Sequence, residues 1–431
     1  MMNGKMTEPL RQLRNEMAQV LRDKMIPFWL NRSIDTEWGG YLTSIDEKGI
    51  VSPDEPKFIV TQARMLWGFS ALRKYVDPKD AARIENAARQ GYQFLIKNFW
   101  DKEFGGFFWS TTKAGVCTDP GKLSYAQSFA IYALSEYALQ FGDPEAREYA
   151  EKTFNAMQIY AADTLYGGYY ENMQMDWSLA GNGMYAGDRK SLDIHMHLME
   201  SFTTLYKATQ KEIHRRKLIE VINLILLRMA DREKGYGFNQ FDISFKKIPA
   251  INIYRTWNAE RETNERIDEP KDTTSYGHNV ELSWLLAVAY DALGTNPGKD
   301  SEIMSRFLDH SIKYGYDNEY GGIYRDGIAD SPALVTDKEW WQNFEAMTGY
   351  LNGYFRFGKE DYLKHCENTW EFIKKHFLIE PFGESRQLLA RKGESIIPTI
   401  GNPWKGIYHT GRALAECISI AEKIENGGKT W

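Results

Sequence analysis

The chain has 431 residues, of which 43% are hydrophobic and 14% aromatic, and its formal net charge is −6. A chain of this length can bury a large core, and an acidic balance without a basic stripe argues against nucleic acid as a partner. The longest apolar stretch, 221–229, is too short to span a bilayer, and the amino-terminal residues lack the apolar core of a signal peptide. Three scattered cysteines suit a reducing compartment. We therefore expect one cytoplasmic domain, residues 1–431, without a membrane segment.

A short phrase recurs along the chain, in which an acidic residue is followed by an aromatic residue and glycine. It reads DTEWGGYL at 35–42, DKEFGGFFW at 101–109 and DNEYGGIYRD at 317–326. Successive copies are 62 to 84 residues apart, about the length of two helices with their connections. The sequence therefore predicts six repeated units. Their marker glycines are Gly39, Gly105, Gly167, Gly237, Gly321 and Gly383.

Between these turns, apolar residues recur at spacings of three and four, which predicts helices. The more apolar helices are predicted at 62–75, 125–139, 192–209 and 279–293, and a charged one at 81–98. Alternation of period two is confined to the turns. The pattern predicts an all-α fold, an (α/α)6 barrel of six helical hairpin repeats with apolar inner helices, charged outer helices and short hairpins at one rim. An open superhelix of helix pairs is the alternative.

Histidine is the first residue type to consider for proton chemistry, because its ordinary pKa lies near neutrality. The chain has eight histidines. Four of them lie among charged or amphipathic helical residues, and we expect them at the surface or in packing. They are His214, His310, His365 and His376.

His195 and His197 lie near the start of a predicted helix. Two positions of separation put them on different faces, so we expect only one to point into the barrel. Asp193 is four residues before His197 and shares its face, where its carboxylate can orient the imidazole or bind the same substrate. His197 is therefore the preferred candidate.

His278 and His409 each stand at the junction of a loop and a predicted helix. Glu281, three residues after His278, shares its face and is expected to accept a hydrogen bond from one ring nitrogen, which leaves the other basic. Trp404 lies close to His409 in the sequence. Each histidine alone could be a buried structural residue, but three at such positions favour a catalytic site. Chelation by His195 and His197 with an acid is not favoured, since the two rings diverge, and we expect no metal.

Six segments of this sequence resemble the N-acylglucosamine 2-epimerase superfamily, most closely its cellobiose 2-epimerase branch. They are QARMLWGFS, YAQSFAIYALSEYA, DIHMHLMESFTTLY, SYGHNVELSWLL, WWQNFEAMTGYLN and PWKGIYHTGR. The resemblance extends from about residue 29 to about residue 416, with the segments in order. It implies an (α/α)6 barrel and an aldose epimerase or isomerase that needs neither a cofactor nor a metal.

The resemblance also implies roles for individual residues. His278 and His409 would be the acid and base on opposite faces of C2 of the sugar, and Arg64 would stabilise the cis-enediolate oxygen. His197 would hold sugar oxygens and assist ring opening. The other implied roles are Glu281 as partner of His278, Glu345 as orienter of the second histidine, Asp193 in sugar binding, Trp341 and Trp404 as the sugar platform, and Tyr125 as a further contact that could equally be core.

Three departures from the cellobiose branch concern the substrate: Asp193 in place of asparagine, Ser385 in place of tryptophan and Thr410 in place of asparagine. All three positions are expected to lie at the sugar-binding site. Moreover, residues 385–403 contain no aromatic residue that could stack a second sugar unit. We therefore prefer a mannose 2-epimerase that interconverts D-mannose and D-glucose. A cellobiose or mannobiose 2-epimerase and a mannose isomerase that makes fructose are the alternatives.

Two other classes of protein share features with this prediction. The barrel also hosts glycoside hydrolases, whose two carboxylates could come from Asp193, Glu281 or Glu345. A non-catalytic sugar-binding barrel would keep Trp341 and Trp404 but would not need a histidine pair. The expected partner is a small sugar, and either a monomer or a homodimer is compatible with charged outer helices.

Overall fold

Six apolar helices form the inner wall of a closed ring in the computed structural model, which describes residues 5–250 and 270–428. Each inner helix contacts the next one along the chain, and the last contacts the first. The open superhelix is therefore wrong, and the (α/α)6 barrel is confirmed. The helices of the described residues are α1 (Glu8–Val20), α2 (Ile26–Arg32), α3 (Ile59–Ala71), α4 (Ala81–Asn98), α5 (Ser124–Phe141), α6 (Pro144–Ala156), α7 (Leu192–Thr209), α8 (Glu212–Leu224), α9 (Tyr276–Leu293), α10 (Asp300–His310), α11 (Trp340–Phe357), α12 (Glu360–Phe372) and α13 (Ile407–Glu425).

The inner ring consists of the odd-numbered helices from α3 to α13, and the outer ring consists of α1 with α2 and the even-numbered helices from α4 to α12. Inner helices are buried on nearly every face, as their apolar composition predicts, whereas the outer helices bury one stripe. A single π-helical turn continues most outer helices towards the hairpin that follows. These turns are Leu21–Met25, Met157–Ala161, Ile225–Met229, Ser311–Gly315 and Ile373–Phe377.

Short antiparallel strands form the rim at the amino-terminal ends of the inner helices. The strands are β1 (Lys57–Phe58), β2 (Ser110–Thr111), β3 (Cys117–Asp119), β4 (Lys122–Leu123), β5 (Asn172–Met173), β6 (Arg189–Ser191), β7 (Ala230–Asp231), β8 (Tyr236–Gly237), β9 (Gln240–Asp242), β10 (Thr273–Ser275), β11 (Asp326–Ile328), β12 (Ala333–Val335), β13 (Lys338–Glu339), β14 (Leu378–Ile379), β15 (Glu384–Ser385), β16 (Leu388–Leu389) and β17 (Ser395–Ile397). They pair in the orders β1-β2-β3, β10-β11-β12, β13-β16-β17, β14-β15, β4-β5, β6-β9 and β7-β8.

The acidic residue of the recurring phrase caps its own turn and joins it to the next unit. In the first copy, Asp35 Oδ1 accepts hydrogen bonds from the backbone N–H groups of Glu37 and Trp38, and Oδ2 lies 2.6 Å from Lys57 Nζ. Lys57 precedes the following inner helix, so a buried ion pair fixes one unit to the next. The same pair recurs as Asp101 with Lys122, Asp163 with Lys190, and Asp317 with Lys338.

The fourth residue of the inner helices holds the hairpin of the preceding outer helix. Gln62 of α3 bonds both the N–H and the C=O of Tyr41, at 2.9 and 2.8 Å. Gly40, with φ of +69°, precedes this contact, and a Cβ there would lie 2.7 Å from both Gln62 and Phe94, so only glycine fits. The equivalent residues are Gln127 in α5, His195 in α7, Asn279 in α9 and Asn343 in α11.

The predicted helices agree with those observed, apart from their ends: 81–98 and 192–209 are matched, and the others begin up to three residues earlier. His214, His310 and His365 are buried in packing and are not at the surface. None of the described helices is long and apolar enough to cross a bilayer. The three cysteines are free.

Candidate functional site

The sixth residue of every inner helix points towards the barrel axis, so six equivalent positions form one ring of side chains. Because each helix enters the ring in the same register, set by the hairpin contacts at its fourth residue, the chemistry of the axis is decided at these positions. Five of the six residues are polar, which is unusual for the fully buried centre of a protein. They are Arg64, Phe129, His197, Glu281, Glu345 and Arg412.

His278 and His409, the third residues of α9 and α13, stand above this ring at the rim side. Both imidazoles lie against the indole of Trp341, with ring centroids 4.6 and 5.7 Å away. His409 Nδ1 is 2.8 Å from Glu345 Oε1. This contact fixes the orientation of the ring and leaves Nε2 as the nitrogen for chemistry. The predicted pairing of His409 with Glu345 is therefore confirmed as a contact.

Asp193 and His197 are in contact, as predicted, and Asp193 has a second histidine beside it. Asp193 Oδ1 is 3.3 Å from His197 Nε2 and 3.4 Å from His278 Nε2. The other nitrogen of His197, Nδ1, lies 2.9 Å from Glu200 Oε2. His195, two residues before His197, points away and accepts the N–H of Tyr169 with its Nε2. His197 is thus the histidine of this pair that faces the barrel.

The predicted pairing of Glu281 with His278 is wrong. Glu281 Oε1 accepts a hydrogen bond of 2.6 Å from Arg412 Nη2, and Oε2 has no hydrogen-bond partner among the described residues. The carboxylate oxygen in contact with His278 belongs to Asp193 of the neighbouring helix α7. The reason is that position three of an inner helix faces the rim whereas position six faces the axis, so spacing of three does not bring these side chains together.

Arg412 is the cation at the centre of the ring. Its Nη2 donates to Glu281 and Glu345, each at 2.6 Å, and its Nη1 donates to Glu200 and Tyr408. The guanidinium also lies over the ring of Tyr408, at 4.1 Å from the centroid. Three buried carboxylates therefore share one buried arginine, which explains how so many acids are tolerated at the axis.

Arg64 lies on the neighbouring inner helix, α3, and is held by the aromatic wall of the site. Its Nη1 donates to the backbone oxygen of Trp404 at 2.5 Å and its Nη2 to the hydroxyl of Tyr125 at 2.8 Å. The guanidinium carbon is 4.3 Å from the centroid of Phe129. A planar cation fixed in this way can offer its remaining donor surface to an anionic oxygen in the pocket.

These side chains line one pocket at the rim end of the barrel, with the aromatic walls and convergent polar groups that are typical of small-molecule sites. All ten of the residues predicted for catalysis or binding lie at it or in direct contact with its walls. The pocket is lined by Arg64, Tyr125, Asp193, His197, His278, Glu281, Trp340, Trp341, Trp404 and His409, and Glu345 contacts His409 from behind.

The two rim histidines have opposite electrostatic surroundings. Burial opposes charge on His278, but the adjacent Asp193 carboxylate raises its pKa above the ordinary value. For His409, burial and then the nearby Arg64 and Arg412 guanidinium groups hold the pKa well below the ordinary value. Of the two histidines, His278 is therefore the one that more readily holds a proton and His409 the one that more readily stays neutral.

The pKa values of the groups beneath the histidines are shifted as well. Burial disfavours a charge on His197, but hydrogen bonds to Asp193 and Glu200 raise its pKa to about 9. Burial also raises the pKa of Glu281, with a further contribution from the neighbouring Glu345 carboxylate. For Glu200 the effect of burial is outweighed by Arg412, which lowers its pKa to about 2.

Glu281, Glu345 and His409 present ligand atoms within 4.8 Å of one another, a donor set that could chelate a cation. Oε1 of both glutamates already accepts from Arg412 Nη2, and Oε1 of Glu345 also contacts His409 Nδ1. A metal ion placed there would meet the guanidinium. The contacts favour Arg412 as the cation of this group, and independence from metal stays a prediction.

Two of the three departures expected at the sugar lie elsewhere. Ser385 and Thr410 are completely buried and both bond the carboxylate of Glu384, Thr410 Oγ1 at 2.9 Å and Ser385 Oγ at 3.3 Å. Thr410 is the fourth residue of α13, the position that holds a hairpin. Of the three departures, Asp193 alone lines the pocket.

Sequence reasoning missed Arg412 altogether, and it missed Trp340 as a wall of the pocket. It also missed Glu200 as the partner of His197. A register comparison of the repeats would have found Arg412, because it occupies the same place in its helix as Arg64 and His197. Trp340 has no such sequence feature, since the first residue of an inner helix is usually core.

Comparison with known proteins places this site in context. A family model described as N-acylglucosamine 2-epimerase (GlcNAc 2-epimerase) matches residues 40–413. A cellobiose 2-epimerase from Bacteroides fragilis is 30% identical over 414 residues, which cover 94% of this chain and 98% of that protein. These matches extend over nearly the whole barrel.

Solved structures give the same result. The structure of cellobiose 2-epimerase from Bacillus thermoamylovorans has a TM-score of 0.84 at 25% identity, covering 95% of this chain and 99% of that chain. A structure of D-mannose isomerase has a TM-score of 0.81 at 19% identity, covering 96% and 99%, and at this identity it shows the fold alone.

Proposed function

We propose that this chain, which belongs to the N-acylglucosamine 2-epimerase family of sugar-epimerising enzymes, interconverts free D-mannose and D-glucose at C2. The observation that carries the proposal is a pair of histidines with opposite charge preferences that both lie against Trp341 in one pocket, with an arginine beside them. An epimerase needs such a pair, because the proton leaves one face of C2 and a proton returns to the other.

The reaction begins with the sugar in its open form, and His197, which is held by Asp193, assists ring opening at the sugar oxygens. His409 then takes the C2 proton, and the electron pair of the C–H bond forms the C1–C2 double bond of a cis-enediolate. His278 gives its proton to the opposite face of C2, and the carbonyl at C1 forms again. The product has inverted C2, and the two histidines have exchanged their protonation states.

Arg64 stabilises the negative oxygen of the enediolate. Two of its nitrogens are held by the Trp404 carbonyl and the Tyr125 hydroxyl, so the guanidinium needs no reorganisation when the charge develops. Trp341, which contacts both histidines, and Trp404 supply indole faces for the apolar side of the sugar. No nicotinamide or other redox group takes part in this sequence of steps.

The lining of the pocket supports a single sugar unit. No residue from 386–403 contributes to it. The aromatic walls come from Tyr125 and three tryptophans, which line the same pocket as the two histidines. With only Asp193 of the three departures in the pocket, the lack of a second stacking platform among residues 5–250 and 270–428 is the stronger argument for a monosaccharide.

A proton NMR time course in D2O with EDTA tests the proposal. D-mannose, cellobiose and mannobiose are incubated separately with the purified enzyme. We expect glucose deuterated at C2 to arise from mannose, with both disaccharides unchanged. The absence of C2 exchange in all three sugars would refute the two-histidine reaction for these substrates. A requirement for metal would appear as exchange that EDTA abolishes.

A disaccharide 2-epimerase is the second candidate, and the match to cellobiose 2-epimerases over nearly the whole chain favours it. In that case the same experiment shows epimerisation of the reducing-end unit of cellobiose or mannobiose. Formation of fructose from mannose would instead identify isomerase chemistry, in which the enediolate is reprotonated at C1.

A further inference from the structure

A chain of ionisable groups connects the two histidines through the protein. From His278 it passes through Asp193 to His197 and Glu200, with Oδ1 of Asp193 shared by both histidines. From Glu200 it continues through Arg412 to Glu345 and ends at His409. The two ends of this chain differ. At His278 the carboxylate of Asp193 contacts two histidines, whereas at His409 the carboxylate of Glu345 is bonded to Arg412 and a second guanidinium, that of Arg64, acts on the histidine.

In the proposed reaction this asymmetry decides which histidine holds a proton between turnovers. After inversion in the direction described above, His409 holds the proton that it removed and His278 has lost its own. The free enzyme thus exists in two forms with the same total number of protons, and each form accepts a different epimer. The form present at rest is the one that the surrounding charges stabilise.

We propose that Asp193 sets the resting form: its carboxylate retains the proton on His278 and so leaves His409 as the free base. The resting enzyme is then ready for the epimer whose C2 hydrogen faces His409, and the other epimer is processed from the minor form. Asp193 is a positioning residue for the acid, in addition to any contact with the sugar. This inference rests on the proposed function.

The charged groups near the two histidines act in both directions. His278 faces Asp193 and His197 of α7 and, on its own helix, Glu281. The cation of His197 opposes a proton on His278, but Asp193 lies between the two rings at 3.3 and 3.4 Å. The carboxylate outweighs the cation because it is closer to His278. At His409, the Glu345 and Glu200 carboxylates favour a proton, whereas burial, Arg64, Arg412 and the cation of His197 oppose it and outweigh them.

The direct test is a histidine NMR titration of the free enzyme, which needs no substrate. The His278 resonance is assigned by its loss in His278→Gln. An opposite charge at this distance shifts a pKa by about 1 to 3, and Asp193 is 30% exposed, so we expect Asp193→Asn to lower the His278 pKa by about one pH unit. Asp193→Glu is expected to recover part of the loss, and the exposed Asp54→Asn is the control without effect.

The pH profile of kcat/KM gives a second measurement. Its basic limb reports loss of the His278 proton and its acidic limb reports protonation of His409. In Asp193→Asn the basic limb is expected to move to lower pH while the acidic limb stays, because Asp193 does not contact His409. A fall of equal size at every pH, with both limbs fixed, would overturn the proposal and leave Asp193 with a structural or sugar-binding role.

The two experiments separate this inference from the proposed function. An unchanged His278 pKa in Asp193→Asn overturns the inference even if the enzyme epimerises mannose. A lowered His278 pKa in an enzyme that exchanges no C2 proton supports the electrostatic role of Asp193 and refutes the proposed reaction.

Discussion

At the scale of single residues, the site is a set of repeated positions with different side chains. Positions four and six of the inner helices keep their direction around the ring, so one holds a hairpin and the other faces the axis. His195 and His197 illustrate the division: the first bonds a backbone N–H and the second enters the pocket. The residue type determines the chemistry at each position, and the helix register determines whether the side chain contacts a hairpin or faces the axis.

Arg64 is the first residue to test. We expect Arg64→Gln to lower kcat by about 10²- to 10³-fold, because removal of one donor to a developing oxyanion has a cost of this size. C2 proton exchange in D2O measures it directly. Tyr125→Phe, which removes one hydrogen bond to Arg64 but leaves the cation, is the comparison and should retain much more activity. Equal losses in the two variants would contradict the role of the charge.

Arg412 is expected to affect stability as well as activity. Arg412→Met leaves Glu200, Glu281 and Glu345 buried without their cation, which destabilises the fold by about 3 to 5 kcal/mol. In the variant the folded-state pKa values of these acids rise above the unfolded values. At low pH the three glutamates are protonated and the variant loses little stability relative to the wild type. The loss of stability grows as pH rises above about 4.3, the ordinary pKa of glutamate.

Thermal unfolding midpoints of the wild type and Arg412→Met, measured from pH 4 upwards, check this sign. A deficit that is largest at acidic pH would contradict the assignment of three ionised or partly ionised acids around Arg412. Arg22→Ala, which removes an exposed ion pair with Asp23, is the control, and its effect should be small and nearly independent of pH.

At the scale of elements, four of the hairpins are fastened to the next inner helix by a buried ion pair. Asp101 and Lys122 lie 2.7 Å apart with side chains 2% and 0% exposed. Asp101 also accepts backbone N–H groups of its own turn. The pair therefore joins local turn formation to the packing of the following unit, and the rim loops that carry the site keep a fixed position.

Lys122→Ala is expected to destabilise the protein by about 3 to 5 kcal/mol, since it leaves the buried Asp101 carboxylate unpaired. The double variant Asp101→Asn with Lys122→Met should recover part of this loss, because no charge remains without a partner. Unfolding midpoints for the three proteins measure the effect. A double variant that is less stable than Lys122→Ala would show that the pair is not the cause.

At the scale of the whole molecule, the ring closes where α13 meets α3. Gly68 of α3 faces Ile407 of α13, and a Cβ at Gly68 would lie 2.1 Å from Ile407 Cγ2. The same two helices carry Arg64 and His409, so the seam sets the distance between the anion-stabilising group and the base. Close packing at the seam is therefore a condition for the geometry of the pocket.

Gly68→Ala is expected to separate these helices, with a loss of about 1 to 3 kcal/mol in stability and a fall in kcat/KM from the displaced groups. Ile407→Ala in the same chain removes the clash and should restore part of both quantities. Unfolding midpoints and C2 exchange rates measured together test this. If the double variant were worse than Gly68→Ala in both measurements, overpacking at the seam would be excluded as the cause.

Much of this architecture could be read from the sequence, because it repeats. The recurring turn gave six units, the apolar spacing gave the helices, and ring closure was expected from the number of units. The ten candidate residues were found at or around one pocket. The partnership of Glu281 and the location of Ser385 and Thr410 were wrong, since both depend on which way a helix faces after it is packed.

The sequence alone thus determined the periodic properties of this protein: a ring of helix pairs, its hairpins and the residue types available for chemistry. Only the tertiary structure decided which ionisable side chains are in contact with one another. Asp193 and His278 are 85 positions apart, and Arg412 is 131 positions from Glu281. Burial then fixes their charges, because in a dry pocket the nearest ion, and not the nearest residue in sequence, determines where a proton is held.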